Sequence, residues 1–416
     1  MKTTLLAILF VLLAINVHAQ NPTVIIPNAN DSRVITTGMP FLLIAADARA
    51  GSMGDMGVAT SVDGFSQQWN NSKYAFSEAK QGVALSYTPY LSSLVNDIFL
   101  GSFTYYNRIN ERSAFAGSFR YFSLGEIEFV DNANSIPYDV KPYELAVDVS
   151  YALKLSDQFS MGVAMRYMRS DLRLNLGNND ASAAGTFGVD ISGYYQSEEE
   201  AYNDFNGRWR GGFAIQNVGP KFKYDEDGVE NFQPTTLRLG GGFDFILDEY
   251  NTISVTTEVT KLLVPTPPIM GTEYQYTDEN GNGVYDEGID TLGSQESTNN
   301  GVIYQGESND VSFMKGMFQS FGDAPGGFKE EMQEFTWALG AEYMYQDSFG
   351  FRMGYFHEAE NKGARQFLAL GAGFKYNVIN IDLSYLFSTS KIQSPLENTL
   401  RFSLTFNLGA GTYREY

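Results

Sequence analysis

Leu400-Arg401-Phe402-Ser403-Leu404-Thr405-Phe406-Asn407-Leu408 alternates without a break: every even residue is large and apolar, every odd one polar. A β-strand sends successive side chains to opposite faces. This stretch therefore has one greasy face and one polar face, as a wall between lipid and a polar lumen requires. The same pattern recurs in residues 81–90, 98–107, 113–122, 143–153, 159–169, 186–194, 209–218, 236–245, 252–261, 335–345, 349–357, 366–376 and 379–387. At roughly 3.3 Å per residue and a tilt near 40°, about ten residues cover the ~25 Å apolar band of an outer membrane. The expectation is an all-β fold, a 14-stranded antiparallel transmembrane β-barrel over residues 81–408 with an amino-terminal plug segment.

The connections give an independent check. With the amino end in the periplasm, loops after odd-numbered strands face outward. Those are the long ones: residues 123–142, 170–185, 219–235, 262–334 and 388–399. Even-numbered connections are mostly tight, such as 154–158, 346–348 and 377–378. Short periplasmic turns and longer external loops are the asymmetry of an outer-membrane barrel, and a soluble sandwich has no reason to sort its loops this way. The even strand count places both chain ends in the periplasm. Parity places Arg120, Arg166, Arg352, Lys375 and Arg401 in the lumen with Asp148, Glu258, Glu342 and Asp382. Charges of both signs favour a salt-bridge network tying a plug to the wall over a charged transport path.

Lys2, the apolar run Leu5–Ile15 and Val17-His18-Ala19 before Gln20 read as a secretory signal peptide over residues 1–19, with the mature chain beginning at Gln20. No cysteine precedes that site, which excludes lipoprotein processing, and no apolar run reaches the ~20 residues of a membrane-spanning helix. Cysteine is absent altogether, removing disulfides, thiolate metal sites and cysteine nucleophiles. A net charge of −21 argues against nucleic acid as a partner. Residues 20–80 form a segment too long for a simple tail, with a plug or, for residues 20–39, a free periplasmic arm as its readings. Residues 409–416 form a carboxy-terminal tail.

That amino-terminal segment contains Arg49-Ala50-Gly51-Ser52-Met53-Gly54-Asp55-Met56-Gly57-Val58-Ala59, then Asp63 and Trp69-Asn70. It resembles the amino-terminal signature of PorV-type proteins of the Bacteroidetes type IX secretion system, and the fourteen strands resemble the wider FadL-like barrel family. The resemblance covers essentially the whole mature chain. It implies a non-enzymatic outer-membrane protein that binds cargo through a carboxy-terminal signal domain. Such a protein takes cargo from a giant translocon barrel to a surface attachment complex. There a sortase-like subunit links cargo to lipopolysaccharide.

The connection 262–334 is far longer than ordinary loops, and loops of that length are usually functional or disordered. Val264-Pro265-Thr266-Pro267-Pro268 makes a stiff exit from the strand. Next, Asp278, Asn280, Asn282 and Asp286 fall on oxygen-ligand positions of an EF-hand calcium loop, with Gly283 at the turn and the Val284 carbonyl as a further ligand. The position that wants a bidentate Glu is Ile289, so Asp290 or Glu287 has to substitute. No cofactor is required; a structural calcium is the candidate, against a solvated Asn/Gly turn. Third, Val311, Met314, Met317, Phe318 and Phe321 share one helical face. Such a face needs cover from the barrel rim, from lipid or from a partner, and Met and aromatic side chains suit adaptable docking.

Two other functions compete. A FadL-like conduit for hydrophobic small molecules needs a lateral opening or a kinked strand, and an apolar lumen. The predicted lumen is charged and no strand interior contains proline. A hydrolase needs an activated nucleophile and a base. The mature chain keeps His357 alone, at the end of a strand opposite Ser348, so those two cannot pair directly. His357 reads as an interfacial residue and the chain as no enzyme.

Overall fold

A sheet with two unlike faces in lipid has to close, because an open edge would leave unpaired backbone groups in hydrocarbon. The computed structural model describes residues 22–408 except 29–30, 93, 131–135, 174–182, 226–227, 294–298, 392–395 and 398. The expected signal peptide and cleavage site and the expected tail 409–416 lie outside these. Two compact units divide the chain: residues 33–266 with 309 onward, and residues up to 32 with 267–308.

The larger unit is a closed 14-stranded antiparallel barrel. Its strands are β1 Gln81–Pro89, β2 Ile98–Arg108, β3 Ser113–Leu124, β4 Tyr143–Lys154, β5 Phe159–Asp171, β6 Ala184–Gln196 and β7 Asn206–Val218. The second half comprises β8 Thr236–Ile246, β9 Asn251–Leu262, β10 Phe335–Tyr345, β11 Phe349–His357, β12 Gln366–Tyr376, β13 Ile379–Ser388 and β14 Leu400–Leu408. All the expected strands are present. Each pairs with its sequence neighbours, and β14 closes on β1 from Gln81↔Leu408 to Tyr87↔Phe402. One irregularity interrupts the wall. A bulge between Ile215 and Val218 in β7 puts Asn217 at φ 58°, where its backbone N–H donates to Asp190 Oδ1 at 2.7 Å.

The outer face carries exposed Val149, Val163, Met165, Phe187, Leu239, Phe351 and Met353. Aromatic ladders bound it at both ends. Tyr87, Phe99, Tyr121 and Tyr143 run ring to ring along the long-loop end, and Phe349 packs on Phe374 at 5.1 Å toward the short turns. Among the described residues no helix is long and apolar enough to cross a membrane. The closed barrel with its apolar band is an outer-membrane barrel.

Residues 33–80 fill the lumen. The chain enters at the long-loop end, where the Gly38 N–H donates to the Phe232 carbonyl at 2.9 Å and the Met39 N–H to Tyr224 Oη at 2.7 Å. It descends through helix α1 (Ala48–Ser52) and helix α2 (Ser66–Trp69). It leaves beside the short β2–β3 turn, where Arg108 donates to the Ser77 carbonyl at 2.6 Å, and runs straight into β1. The plug segment thus begins at the long-loop end and finishes at the short-turn end. The first described strand, Thr23–Pro27, pairs with Ile269–Thr277 of the longest connection. Within the smaller unit the arm is therefore a paired strand and not a free segment.

The inward charges form the network that parity suggested. Arg49 of α1 grips Glu342 with two bonds of 3.0 and 2.7 Å and reaches Asp63 at 2.8 Å. Asp55 pairs with Arg401 at 2.6 Å, and the Gly57 and Val58 N–H groups both donate to Glu258 at 2.8 and 2.9 Å. Within the wall, Asp148 bridges Arg120 and Arg166, while Arg352 joins Glu342 and Asp382, each at 2.6 Å. Lys375 is the exception. It has inward parity but sits near the short-turn rim and is exposed. Gly54 takes φ 86° with the Tyr355 backbone 2.9 Å from where a Cβ would stand, so only glycine fits.

Glu342→Ala leaves the Arg49 and Arg352 guanidinium groups without their shared carboxylate. The expected cost is about 3–5 kcal/mol, read as a lower midpoint of the heat-induced mobility shift of the barrel on gels. An unchanged midpoint would mean that this pair does not hold the plug.

Candidate functional site

The longest connection returns to the barrel through helices α3 (Phe313–Gln319) and α4 (Phe328–Gln333). Ser312 caps α3, its Oγ accepting the Lys315 N–H at 3.4 Å. The fully buried positions of α3 and its carboxy-terminal cap are small residues. Gly316 and Ser320 are buried, and a Cβ on Gly316 would stand 2.8 Å from Phe232 and 3.0 Å from Pro265. The stiff exit expected at Val264-Pro265-Thr266 is thus the seat on which the helix rests.

What faces outward is mainly apolar, with Lys315 and Lys329 also exposed. Met314, Phe318 and Phe321 are 49, 73 and 51% exposed, and on the next helix Phe328 and Met332 are 79 and 47% exposed. The predicted face is therefore divided. Met314, Phe318 and Phe321 share the open side, while Val311 and Met317 are half-buried. The helix covers only 313–319, so Val311 and Phe321 lie beyond its ends. Sequence reading missed Phe328 and Met332, whose i, i+4 spacing was the available signal.

Beneath these helices lies a buried polar knot. Lys261 at the end of β9 donates to Glu334 at 2.6 Å and pairs with Glu331 at 3.4 Å. Lys362, from the β11–β12 loop, reaches Glu330 at 2.7 Å and Glu334 at 2.9 Å. Arg33, at the start of the plug segment, pairs with Glu330 at 2.8 Å. Thr266 gives its hydroxyl to Glu334 at 2.5 Å and its N–H to Asp323 at 3.0 Å. Four chain segments are pinned at one point. Among the described residues, Asp323, Glu331 and Glu334 are the acids gathered at metal-ligand spacing, but Lys261 already sits on two of them. Burial, reinforced by the charges of Glu334 and Glu331, pushes the Asp323 carboxyl up to about 6. Glu330 goes the other way: burial opposes its charge, but bonds from Lys362, Gly326 N–H and Arg33 hold it below the usual range. Nearby, a cavity is lined by Ile35, Leu43 and Phe356 together with Arg238, Asp55 and Arg365.

The smaller unit is a sheet built on Ile269–Thr277, paired with Thr23–Pro27 on one side and with Thr291–Leu292 and Asn299–Gln305 on the other. The expected calcium loop lies here. Asp278 accepts the Gly281 and Gly283 N–H groups, each at 2.7 Å, and Asn282 accepts the Val284 N–H at 2.8 Å. The amides of Asn280 and Asn282 converge on Asp286 Oδ2, each at 2.7 Å. Asp290 faces elsewhere, accepting the Glu279 and Asp286 N–H groups at 2.9 and 2.7 Å. The loop brings Asp278, Asn280, Asn282, Val284 and Asp286 into one turn and uses Asp290 to brace it.

His357 stacks on Trp337, ring centroids 5.2 Å apart, within the aromatic belt of the long-loop end. Ser348 lies in the turn at the far end of β11, where its N–H donates to the Tyr345 carbonyl at 3.0 Å.

The chain matches the family model described as "Type IX secretion system protein PorV" over residues 27–269, more than half of its length. No curated protein matches it. Among solved structures, it is similar to a deletion mutant of the TodX monoaromatic hydrocarbon channel (10% identity, TM-score 0.50, covering 87% of this chain and 99% of that one). It is also similar to the Pseudomonas putida toluene transporter TodX (10%, 0.49, 90% and 99%). A Pseudomonas aeruginosa FadL homologue is a third (12%, 0.44, 91% and 100%). At these identities the likeness is one of fold.

The raised Asp323 means that packing of α3 and α4 weakens as pH rises through about 6. The lowered Glu330 means that it weakens again as pH falls below the ordinary glutamate range. Proteolysis of segment 309–334 should be slower at pH 5.5 than at 7.5, and Asp323→Asn should remove the difference. Faster cleavage at pH 5.5 would contradict this reading.

Proposed function

The chain belongs to the type IX secretion system PorV family, and from that premise we propose that it is a non-enzymatic carrier of secreted proteins. It binds cargo through the cargo's carboxy-terminal signal domain and moves it from the translocon barrel to the sortase-like subunit of the attachment complex. The long-loop end faces the cell surface and the short turns face the periplasm. Lipopolysaccharide and outer-membrane lipid surround the barrel.

The observation that carries this reading is the exposed surface of Met314, Phe318, Phe321, Phe328 and Met332. Two short helices and the segment between them hold these side chains outward, the first helix resting through Gly316 on Phe232 and Pro265. Buried ion pairs fix the base, so the surface keeps its shape when empty. Large apolar side chains in water favour a partner that removes them from it; each, fully covered, contributes roughly 1.5–3 kcal/mol. The competing conduit reading finds less support. The plug is bound to the wall along the lumen by Arg49–Glu342, Asp55–Arg401 and the Glu258 bonds. Clearing a path for a hydrocarbon would expose those charges to it. An enzymatic role is also disfavoured, since His357 stacks on Trp337 in the aromatic belt.

Phe318→Asp with Phe328→Asp should leave the heat-modifiable barrel intact while sharply reducing co-purification of cargo, translocon barrel or both from detergent-extracted outer membranes. Unchanged recovery of all partners would refute the docking surface.

The reading also includes a structural calcium in the 278–290 turn, held by Asp278, Asn280, Asn282, Asp286 and the Val284 carbonyl, with Asp290 as brace. Calcium should protect this turn from protease, and Asp278→Ala should abolish the protection. Cleavage of the wild type at the same rate with and without calcium would remove the metal from the account.

A further inference from the structure

Within the smaller unit the amino-terminal arm pairs with the central strand through its backbone, and beyond the pairing Asp31 Oδ2 accepts the Met270 N–H at 2.8 Å. Thr23–Pro27 runs antiparallel to Gly271–Gln275 through five facing pairs. Flanking bonds run from the Tyr276 N–H to the Pro22 carbonyl at 3.0 Å and from the Asn28 N–H to the Met270 carbonyl at 2.9 Å. Those two pairs set the alternation of an antiparallel ladder. Val24 and Ile26 therefore exchange hydrogen bonds with Tyr274 and Thr272, while Thr23 and Ile25 face Gln275 and Glu273 without them. None of the five arm side chains is buried; Val24, Ile25 and Ile26 are half-covered and Thr23 and Pro27 are exposed.

Three further features bear on what happens if the arm leaves. The receiving strand stays in a sheet, because its other side is paired with Asn299–Gln305 and Thr291–Leu292. The barrel keeps its plug, because that segment is held independently from Arg33 and Gly38 onward. The receiving strand is also shaped for a close neighbour: a Cβ on Gly271 would stand 2.6 Å from the Ile25 side chain and 2.8 Å from the Ile26 carbonyl. Losing the arm would leave a row of unpaired N–H and C=O groups, which is the template that an incoming strand reads.

We propose that Ile269–Thr277 is a strand-addition site that Thr23–Pro27 occupies in cis, and that an extended, uncharged, β-branched segment of a secreted polypeptide exchanges for it during transport. The identity of the exchanging segment rests on the carrier reading above; the exchange itself does not. The site selects backbone geometry first. Residues that donate and accept at the Val24 and Ile26 positions are required, and β-branched side chains suit the half-covered surface. Release of the arm returns backbone freedom to five ordered residues, which offsets part of the cis contact and leaves it replaceable.

The test uses a variant lacking residues 20–28 after the signal, purified in detergent and checked for its heat-modifiable barrel. A fluorescent peptide with the sequence of residues 21–28 should bind this variant saturably, and bind the full-length protein at least tenfold more weakly. The same peptide with Ile26→Pro should not bind. Absence of binding to the truncated variant, or equal binding of the proline peptide, would overturn the strand-addition site. A second variant carries Ile25→Cys and Glu273→Cys, a facing pair without ladder bonds in a chain that has no other cysteine. Oxidised, it should reduce cargo export in cells severalfold, with recovery on reduction. Full export by the oxidised protein, with peptide binding intact, would overturn the exchange during transport and leave the site standing.

Discussion

The bond of Arg49 to Glu342 and Asp63 is the interaction on which the rest of this structure depends. A barrel of this size encloses polar wall side chains that water alone would fill. Here the chain supplies its own filling, and one guanidinium from a five-residue helix joins the wall carboxylate to the plug's own turn. Charges of both signs inside are costly when unmatched and tolerable when matched. That explains why the signature segment is dense in glycine. Gly51 passes beneath Arg401 and Gly54 lies on the Tyr355 backbone, and only a chain that slender brings Arg49 and Asp55 within reach of their partners.

The mouth repeats the same logic on a smaller scale. Lys261, Lys362 and Arg33 face Glu330, Glu331, Glu334 and Asp323, which leaves one more acid than base. The surplus falls on Asp323, the carboxyl pushed upward. With the polar residues gathered below, the helices above are free to present aromatic and methionine side chains to water. The rigid base and the open apolar surface are therefore two halves of one arrangement, and the surface is displayed because the charges are hidden.

Much of this was legible in the sequence. Period-two alternation located every wall strand, since lipid outside and charge inside impose the same rule on each. Parity placed Arg120, Arg166, Arg352 and Arg401 inside correctly, and failed to bury Lys375 only because alternation does not say where the rim is. The smaller sheet was not legible. Thr23–Pro27 and Ile269–Thr277 are separated by the whole first part of the barrel, and a pairing between half-exposed strands leaves no periodic trace in either. The direction of the plug was hidden for a related reason. Counting strands fixes where the wall begins, but the Gly38–Phe232 and Arg33–Glu330 contacts that set the entry point are single bonds between distant residues. Within α3, helical spacing identified Met314 and Phe318 as neighbours, yet only the close approach of Gly316 to Pro265 decided which side was left open.

The seam between β1 and β14 has a consequence for assembly. Gln81 pairs with Leu408, so the wall is sealed by the first and last strands to be made. The plug lies upstream of that first strand and runs down the axis of the barrel. Were the seam to form early, the plug would have to thread through a ring already shut. Settling of the amino-terminal segment against the inner faces of a still-open sheet, with closure afterwards, avoids that threading. Pairings so distant in the chain are slow to form, which is compatible with that order.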